Sequence, residues 1–446
     1  MLTLCSMPLS NDLVSRLRGK MILAPLTRGG NLPYRRLCAD FGMDSSFSEM
    51  VYARNMLKNE GIELARMRRA PGETTFGVQI ATNEIEEGVA AAKMAAASGA
   101  DWVDLNCGCP IYEATRRGLG AALLRKPHKL EQLVAGIAAG SSLPLSVKVR
   151  TGEFRNALNV RDVASRLRDA GAAMVTIHGR TMEDRYKRPA DWDVIAQVVA
   201  DGAGSGVGVV GNGDILTHYD ARRRLDESGV DAVMVGRGAL IKPWVFQEFE
   251  RGEPWEPSAA ERVEIMRRLV VYMKEHFGDD ARGRKKAWAF LPWHLDWFAR
   301  YLPLPEAEWG AFSREEPLMQ MRRPPLPADL PALDRLLASR APGAHDAMSG
   351  LLWEAASDAA AVDALRNFAE GGGLAEVEAA AAAEAEAEEE ELANVGQAYS
   401  GGLKKQRRRR AAPVIRTPQE IAALRAQRAL KRKLTGAAPH VEGTRR

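Results

Sequence analysis

The chain of 446 residues is 46% hydrophobic and 27% charged and has a net charge of +4, which excludes a single small module and favours two or three soluble domains of about 150 residues each. No segment approaches the roughly 18 uninterrupted apolar residues of a membrane-spanning helix, so we expect no association with a membrane. The four cysteines are too few for a disulfide framework and lack the paired spacing of a zinc site, so we expect a reducing compartment and no bound metal.

Residues 1–19 form a short N-terminal extension. It contains Asp12 and lacks a continuous apolar segment, so we expect no secretory signal. The expected location is the cytoplasm, the nucleus or both, and an organellar presequence stays open as an alternative.

Between Met21 and Gly238, short apolar runs rich in β-branched residues alternate with amphipathic runs of helical spacing. This alternation is typical of parallel strands joined by helices. Eight such units in roughly 220 residues predict a (β/α)8 TIM barrel over residues 20–250, and a doubly wound open sheet is the alternative. The strands are predicted at residues 21–26, 45–50, 74–80, 102–106, 145–150, 174–178, 207–210 and 232–235.

A smaller all-α domain is expected at residues 251–345. Ser258 and Glu261 form a capping box that marks the start of its first helix. Helices are predicted at residues 261–276, 284–301 and 328–339. The second of these concentrates four aromatic residues, which we expect to form the core of the domain rather than a base-stacking platform: Trp288, Trp293, Trp297 and Phe298.

The remainder of the chain is compositionally biased. Residues 346–400 are expected to be an Ala/Glu-rich, partly disordered linker, in which the stretch 371–391 has too few large apolar residues to bury a core and should be a solvated helix or disordered. Residues 401–446 carry fourteen Lys and Arg residues against two Glu residues, a net charge of +12 that leaves −8 for the first 400 residues. A basic tail of this kind is typical of a nucleic-acid contact or a nuclear-import signal.

Polar residues occupy inward positions near the ends of four predicted strands. Alternate side chains of a barrel strand point inward, and functional groups lie at the carboxyl ends of the strands. By this pattern the inward residues are Gln79, Asn106, Lys148 and His178. Because a buried polar group without a partner costs roughly 2–7 kcal/mol, the cluster predicts a site for a polar ligand. An internally satisfied polar layer is the alternative.

Glycine-rich turns follow the seventh and eighth predicted strands. The first turn contains Asn212, Gly213 and Asp214, and the second contains Gly236 and Arg237. Barrels commonly bind phosphate at this edge, because glycines let backbone amides approach the anion and an arginine supplies a fixed charge. Together the turns predict a phosphate site, and two ordinary turns are the alternative.

Cys107 and Cys109 are separated by one residue, and no second pair exists, which argues against a metal site. If Asn106 faces inward, Cys107 faces the helix layer and Cys109 lies in the loop beyond the strand. A thiol with the ordinary pKa of about 8.5 is mostly protonated at neutral pH and can act as a general acid.

From residue 20 to about residue 340 the sequence resembles the tRNA-dihydrouridine synthases, and in particular the eukaryotic branch that modifies the variable loop of tRNA. The likeness to the family rests on motifs that recur in order at seven strands, namely residues 24–27, 78–79, 106–110, 147–150, 177–180, 211–215 and 236–238. The likeness to the eukaryotic branch rests on residues 31–36, 190–192 and 238–244.

The resemblance implies that the barrel holds FMN, that NADPH is the reductant and that tRNA is the substrate, gripped in part by the helical domain. The residues implied to contact FMN are Pro25, Leu26, Thr27, Gln79, Lys148, His178, Asn212, Gly213, Asp214, Gly236 and Arg237. Those implied to contact the substrate are Asn106, Arg150 and Arg180, with Cys109 as the proton donor. The implied activity is the reduction of uridine to 5,6-dihydrouridine by a monomeric enzyme.

Two other functions stay open. The first is an FMN-dependent enzyme similar to dihydroorotate or dihydropyrimidine dehydrogenases, but this function would not explain the helical domain and the basic tail. The second is a tRNA-binding factor without catalytic activity, but this function would not explain the presence of Cys109, Lys148 and Arg237. The zinc-finger segment typical of the branch is not found in this sequence, so we expect the basic tail to help bind RNA in its place, with nuclear import as the alternative.

Overall fold

The computed structural model describes residues 9–327 and 329–398, so the basic tail predicted at residues 401–446 lies outside the described residues. Eight parallel strands form a closed barrel, because the second strand pairs with both the first and the third. The TIM barrel predicted from the sequence is thereby confirmed, with all eight strands in place. The strands are β1 (Met21–Leu23), β2 (Ser45–Phe47), β3 (Thr75–Ala81), β4 (Trp102–Cys107), β5 (Leu145–Arg150), β6 (Met174–His178), β7 (Gly208–Asn212) and β8 (Ala232–Val235).

Helices cover the outside of the barrel and connect its strands. In α8, for example, the buried residues Val160, Val163, Ala164 and Leu167 recur at helical spacing and face the sheet. The helices up to the end of the barrel are α1 (Leu9–Leu17), α2 (Leu32–Asp40), α3 (Ala53–Met56), α4 (Gly61–Arg66), α5 (Ile85–Ala97), α6 (Tyr112–Thr115), α7 (Pro127–Gly140), α8 (Val160–Asp169), α9 (Trp192–Ala200), α10 (His218–Ser228), α11 (Arg237–Ile241) and α12 (Val245–Arg251), with a 3₁₀ helix at Gly120–Arg125.

The loops at the carboxyl ends of the barrel strands contain two additional short β-pairings. Val51–Tyr52 adds to the edge of β3, and Gly152–Phe154 forms an antiparallel hairpin with Ala157–Leu158 directly after β5.

Side chains fill the interior of the barrel in layers. The lower part of the interior, which is the part away from the carboxyl ends of the strands, is apolar. There the rings of Phe47 and Trp102 meet edge to face with centroids 5.1 Å apart. Gly77 on β3 makes room for the indole, because a Cβ at this position would lie 2.2 Å from Trp102. The lower interior is thus closed, and the polar residues lie above it.

The helical region begins at the predicted capping box. The amide of Ser258 donates to Glu261 at 2.8 Å, and the amide of Glu261 donates to the Ser258 hydroxyl at 3.3 Å. The helices are α13 (Ala259–Phe277), α14 (Ala281–Trp288), α15 (Leu291–Phe298), α16 (Glu306–Glu315), α17 (Ala332–Ala338), α18 (Pro342–Glu354), α19 (Asp358–Glu370) and α20 (Gly373–Ala398), with a 3₁₀ helix at Leu318–Gln320.

In this region the observed helix boundaries differ from two predictions made from the sequence. The single helix expected at residues 284–301 is divided into α14 and α15, because Pro292 lacks an amide hydrogen and fits only the first turn of a new helix. Similarly, the helix expected to begin at residue 328 begins only after Pro331.

The helical region also extends past the boundary expected at residue 345. Within the predicted linker, Met348, Leu352 and Trp353 of α18 and Leu365 of α19 are buried, and α18 packs against α13 and α15. The alanines and glutamates that follow Glu354 dominate the composition of residues 346–400, which is why composition alone assigned these apolar residues to a linker. Further along, α20 buries Leu374 near its start, and most of residues 375–386 are exposed. This part of the stretch 371–391 is therefore the solvated helix that was one of the two alternatives.

Candidate active site

A cavity of about 460 Å³ opens at the carboxyl ends of the barrel strands. Its volume falls in the range of small-molecule sites, roughly 300–1,000 Å³. The structure brings every residue implied by the resemblance to its lining: Pro25, Leu26, Thr27, Gln79, Asn106, Cys109, Lys148, Arg150, His178, Arg180, Asn212, Gly213, Asp214, Gly236 and Arg237. The individual roles of these residues remain predictions.

The cavity lining has an excess of positive charge. Among the described residues, four cations line it, Lys148, Arg150, Arg180 and Arg237, against a single carboxylate, Asp214. Burial and these cations hold the pKa of His178 well below its usual value, so its ring is neutral. Because buried like charges repel one another unless a counter-charge is present, the lining favours an anionic ligand.

Lys148 is the cation at the centre of this group. Its ammonium donates to Oδ1 of Asn212 at 2.9 Å, and the Asn212 amide group in turn donates to the carbonyl of Met234 at 2.8 Å. Burial, followed by the nearby Arg150 guanidinium, lowers the pKa of Lys148 from 10.5 to about 7. Lys148 therefore becomes fully charged near neutral pH only when a negative group binds beside it.

Asp214 joins two of the arginines. Its carboxylate accepts two hydrogen bonds of 2.6 Å from Arg180 and one of 2.9 Å from Arg237. A carboxylate repels a phosphate, so in this geometry Asp214 orients Arg237 rather than offering a direct phosphate contact. Arg180 is wholly buried and also donates to His178 Nε2 at 3.1 Å, which requires that nitrogen to be unprotonated.

A chain of hydrogen bonds runs from the barrel interior to the loop that contains Cys109. Asp104, buried one layer below Asn106, accepts from Ser146 at 2.5 Å and from Gln79 at 2.7 Å. Gln79 Oε1 accepts from Asn106 at 2.8 Å, and Asn106 Oδ1 accepts from the Cys109 amide at 3.0 Å. Because Asp104 can only accept when ionised, the direction of every bond in the chain is fixed.

Cys109 lies at the edge of the cavity and is partly buried. Burial raises the pKa of its thiol, although the amide of Ile111 and the charges of Arg150 and Lys148 act in the opposite direction. The thiol is therefore protonated at neutral pH, and its conjugate base would face two cations. These are the properties of a general acid.

Arg150 fixes the same loop from the other side. Its Nε donates to the carbonyl of Gly108 at 2.6 Å, and its Nη1 donates to the carbonyl of Thr181 at 2.9 Å. Cys107 is buried in the helix layer, as expected, and does not line the cavity.

Two groups of site residues were missed by the sequence reasoning. Trp293 and Trp297 of α15 line the cavity and are only partly buried, although we expected them in the core of the helical domain. Asp104 was also missed, although it shares its inward phase with Asn106, and extending the alternation by two residues would have identified it.

The described residues contain no group of three or more His, Cys, Asp or Glu side chains placed to hold a metal ion. In the same part of the chain, none of the helices combines the length and apolarity that crossing a membrane requires.

Comparison with known proteins gives a consistent picture. A family model described as dihydrouridine synthase matches residues 22–302. A Homo sapiens protein named as tRNA-dihydrouridine(47) synthase-like is 38% identical over 325 residues, which is 73% of this chain and 49% of the human protein. The tRNA-dihydrouridine(47) synthase of Coprinopsis cinerea is 39% identical over 299 residues, covering 64% of this chain and 44% of that protein. This chain spans about half the length of the curated relatives it matches.

Among solved structures, a 2-naphthoyl-CoA reductase complex aligns with 53% of this chain and 51% of its own at 15% identity and a TM-score of 0.43. That likeness is too low to support an inference about this protein.

Proposed function

Because the chain belongs to the dihydrouridine synthase family, we propose that it is an FMN-dependent enzyme that reduces uridine in tRNA to 5,6-dihydrouridine with NADPH as the reductant. Its curated relatives carry position 47 in their names, and we propose a uridine of the variable loop as the target. The observation that carries the proposal is a protonated thiol, Cys109, at the edge of a cavity lined by four cations.

The residues of the cavity fit a flavin mononucleotide. Leu26 and Met234 contribute apolar surface for a ring system, and Arg237 and Lys148 contribute positive charge. We assign Arg237, oriented by Asp214, together with the turns at Gly213 and Gly236, to the phosphate end. Lys148 and Gln79 then face the ring, where positive charge favours an anionic reduced form.

When bound and reduced by NADPH, FMN supplies a hydride for C6 of the uracil ring. The chain itself supplies the proton: the Cys109 thiol donates it to C5, and the thiolate that remains faces Arg150 and Lys148. Hydride and proton together saturate the C5–C6 double bond, and the thiolate recovers a proton from solvent. Asn106 holds the amide of Cys109, which positions the thiol. The target uridine must leave its stack to reach this depth.

The test compares the two neighbouring cysteines. Cys109→Ala should retain bound flavin and the oxidation of NADPH by oxygen, while dihydrouridine formation on tRNA should fall by about 10²–10⁴-fold, as for the loss of a general acid. Cys107→Ala, the matched control, should be nearly silent because that thiol is buried in the helix layer. The chromophore released on denaturation should be FMN. Full dihydrouridine formation by Cys109→Ala would contradict the proposal.

A further inference from the structure

Exposed apolar side chains are concentrated on one side of the cavity mouth. Among the described residues, eight large hydrophobic side chains are exposed, and five of them lie on the loops that follow the consecutive strands β4, β5 and β6. These five, which we call the rim, are Ile111, Tyr112, Phe154, Leu158 and Tyr186.

The rim residues differ in how they meet the cavity. Ile111 and Tyr186 line it, and Tyr112, which is 76% exposed, follows Ile111 directly in the chain. Phe154 and Leu158 lie on the two strands of the hairpin after β5 and are 45% and 46% exposed. None of them contributes to the barrel core, so their apolar character is not explained by folding.

The three loops are joined to one another. Arg125, at the end of the first loop, donates to Glu153 of the hairpin at 2.6 Å. The amide of Met182 in the third loop donates to the carbonyl of Gly152 at 2.9 Å, and the amide of Arg155 donates to Glu183 at 2.9 Å. The rim is therefore held by a connected scaffold and does not consist of three independent loops.

The same loops are basic in a part of the chain that is otherwise acidic. Segments 108–126, 151–159 and 179–191 together carry nine Lys and Arg residues against five Asp and Glu residues, whereas the first 400 residues carry a net charge of −8. Tyr186 also lies 4.3 Å from the guanidinium of Arg237. Aromatic side chains interleaved with basic ones are the surface that unpaired nucleobases and their phosphates fit.

We propose that the rim is a stacking platform for unpaired nucleotides next to the uridine that enters the cavity, with Tyr112 and Phe154 as its principal contacts. This inference rests on the proposed function and adds to it the class of RNA feature that is recognised: bases free of pairing, contacted on their faces. A helical stem offers no free base face, so double-stranded RNA should not use the rim.

The experiment measures binding of the full chain to an unstructured uridine-rich RNA of twelve nucleotides and to a hairpin stem of equal charge. Tyr112→Ala and Phe154→Ala should each weaken binding of the single strand by about 5- to 150-fold, the range for loss of one stacked base. Binding to the stem should not change. The dependence of log K on log salt should also stay constant, because neither substitution alters a group that neutralises phosphate.

Two further variants separate stacking from general apolar contact. Tyr112→Trp should retain or strengthen binding, whereas Tyr112→Leu should resemble Tyr112→Ala. Ile85→Ala is the matched control, because Ile85 is also exposed but packs on Gly136 of α7 in the outer helix layer, and it should leave RNA binding unchanged.

The proposal is overturned if Tyr112→Ala and Phe154→Ala bind the single strand as Ile85→Ala does, or if they weaken stem and single strand equally. A dimeric protein that becomes monomeric in Tyr112→Ala would assign the rim to a second copy of the chain and would also overturn it. Dihydrouridine formation and flavin content of the wild type are measured separately. If the wild type binds RNA through the rim but forms no dihydrouridine, the proposed function is refuted and the proposal about the rim still holds.

Discussion

Replacing Lys148 by methionine should make the flavin-free protein more stable below neutral pH. Burial lowers the pKa of Lys148 from 10.5 to about 7, so in the folded chain the charged form is disfavoured relative to the unfolded chain. Because the folded pKa lies below the unfolded one, the cost is fully present below pH 7 and is relieved as the pH rises from 7 towards 10.5. At 1.36 kcal/mol per pKa unit, the full cost is about 5 kcal/mol.

The substitution also removes a hydrogen bond. Oδ1 of Asn212 loses its donor at 2.9 Å, and a buried acceptor without a partner costs roughly 1–3 kcal/mol. The net gain of Lys148→Met should therefore be about 2–4 kcal/mol at pH 6. At pH 9.5 only about 1 kcal/mol of the lysine cost remains, which the missing hydrogen bond cancels.

The assay is urea unfolding of the flavin-free protein at pH 6, 8 and 9.5, followed by tryptophan fluorescence. Wild-type stability should rise relative to Lys148→Met across this range, while Lys93→Met, which changes an exposed lysine of α5, should run parallel to the wild type. Parallel curves for wild type and Lys148→Met would refute the argument that Lys148 is held in the folded state at the expense of stability.

Three other outcomes are expected. Arg237→Ala should weaken FMN binding by roughly 1.5–3 kcal/mol, the worth of a charge-assisted hydrogen bond, and an unchanged Kd in a fluorescence titration would remove Arg237 from the phosphate end. Asp104→Leu leaves the buried donors of Gln79 and Ser146 without partners, so the free energy of unfolding in urea should fall by about 2–5 kcal/mol. The double variant Asp104→Asn with Gln79→Glu preserves the number of donors and acceptors and should recover part of that loss. Equal stability of Asp104→Leu and the double variant would contradict the chain of hydrogen bonds. Deleting residues 401–446 should flatten the salt dependence of tRNA binding by about 0.7–0.9 for each phosphate that the tail neutralises without changing flavin content, and an unchanged slope would assign the tail to targeting.

The barrel could be predicted because its signal is local. Parallel strands buried on both faces appear as short apolar runs, and the period of two identifies inward residues wherever a polar side chain interrupts the run. Lys148 within β5 and His178 at the end of β6 are of this kind, and both line the cavity. The two glycine-rich turns were identified from their position after the last two strands, and both line the cavity. Their binding of a phosphate stays a prediction.

Contacts between distant segments could not be predicted. Nothing local distinguishes Trp288 from Trp293, yet Trp288 packs near Trp353 of α18 with ring centroids 6.2 Å apart, while Trp293 lines the cavity. The pairing of Asp214 with two arginines likewise depends on how three loops converge. Charge at the end of a strand therefore predicts a polar site, while the division of roles within that site depends on tertiary packing.

The packing of α18 against α15 sets a limit on how far the chain can be shortened. Ending it at residue 345 would preserve the barrel and every side chain that lines the cavity, yet it would remove most of α18, which packs against α15 and carries the buried residues Met348, Leu352 and Trp353. Because α15 also carries Trp293 and Trp297, which line the cavity, the shortened chain would keep all the residues of the site but lose the packing that holds α15 in place. A minimal version of this protein must therefore be cut beyond α18, well past residue 302, where the match to the family model ends.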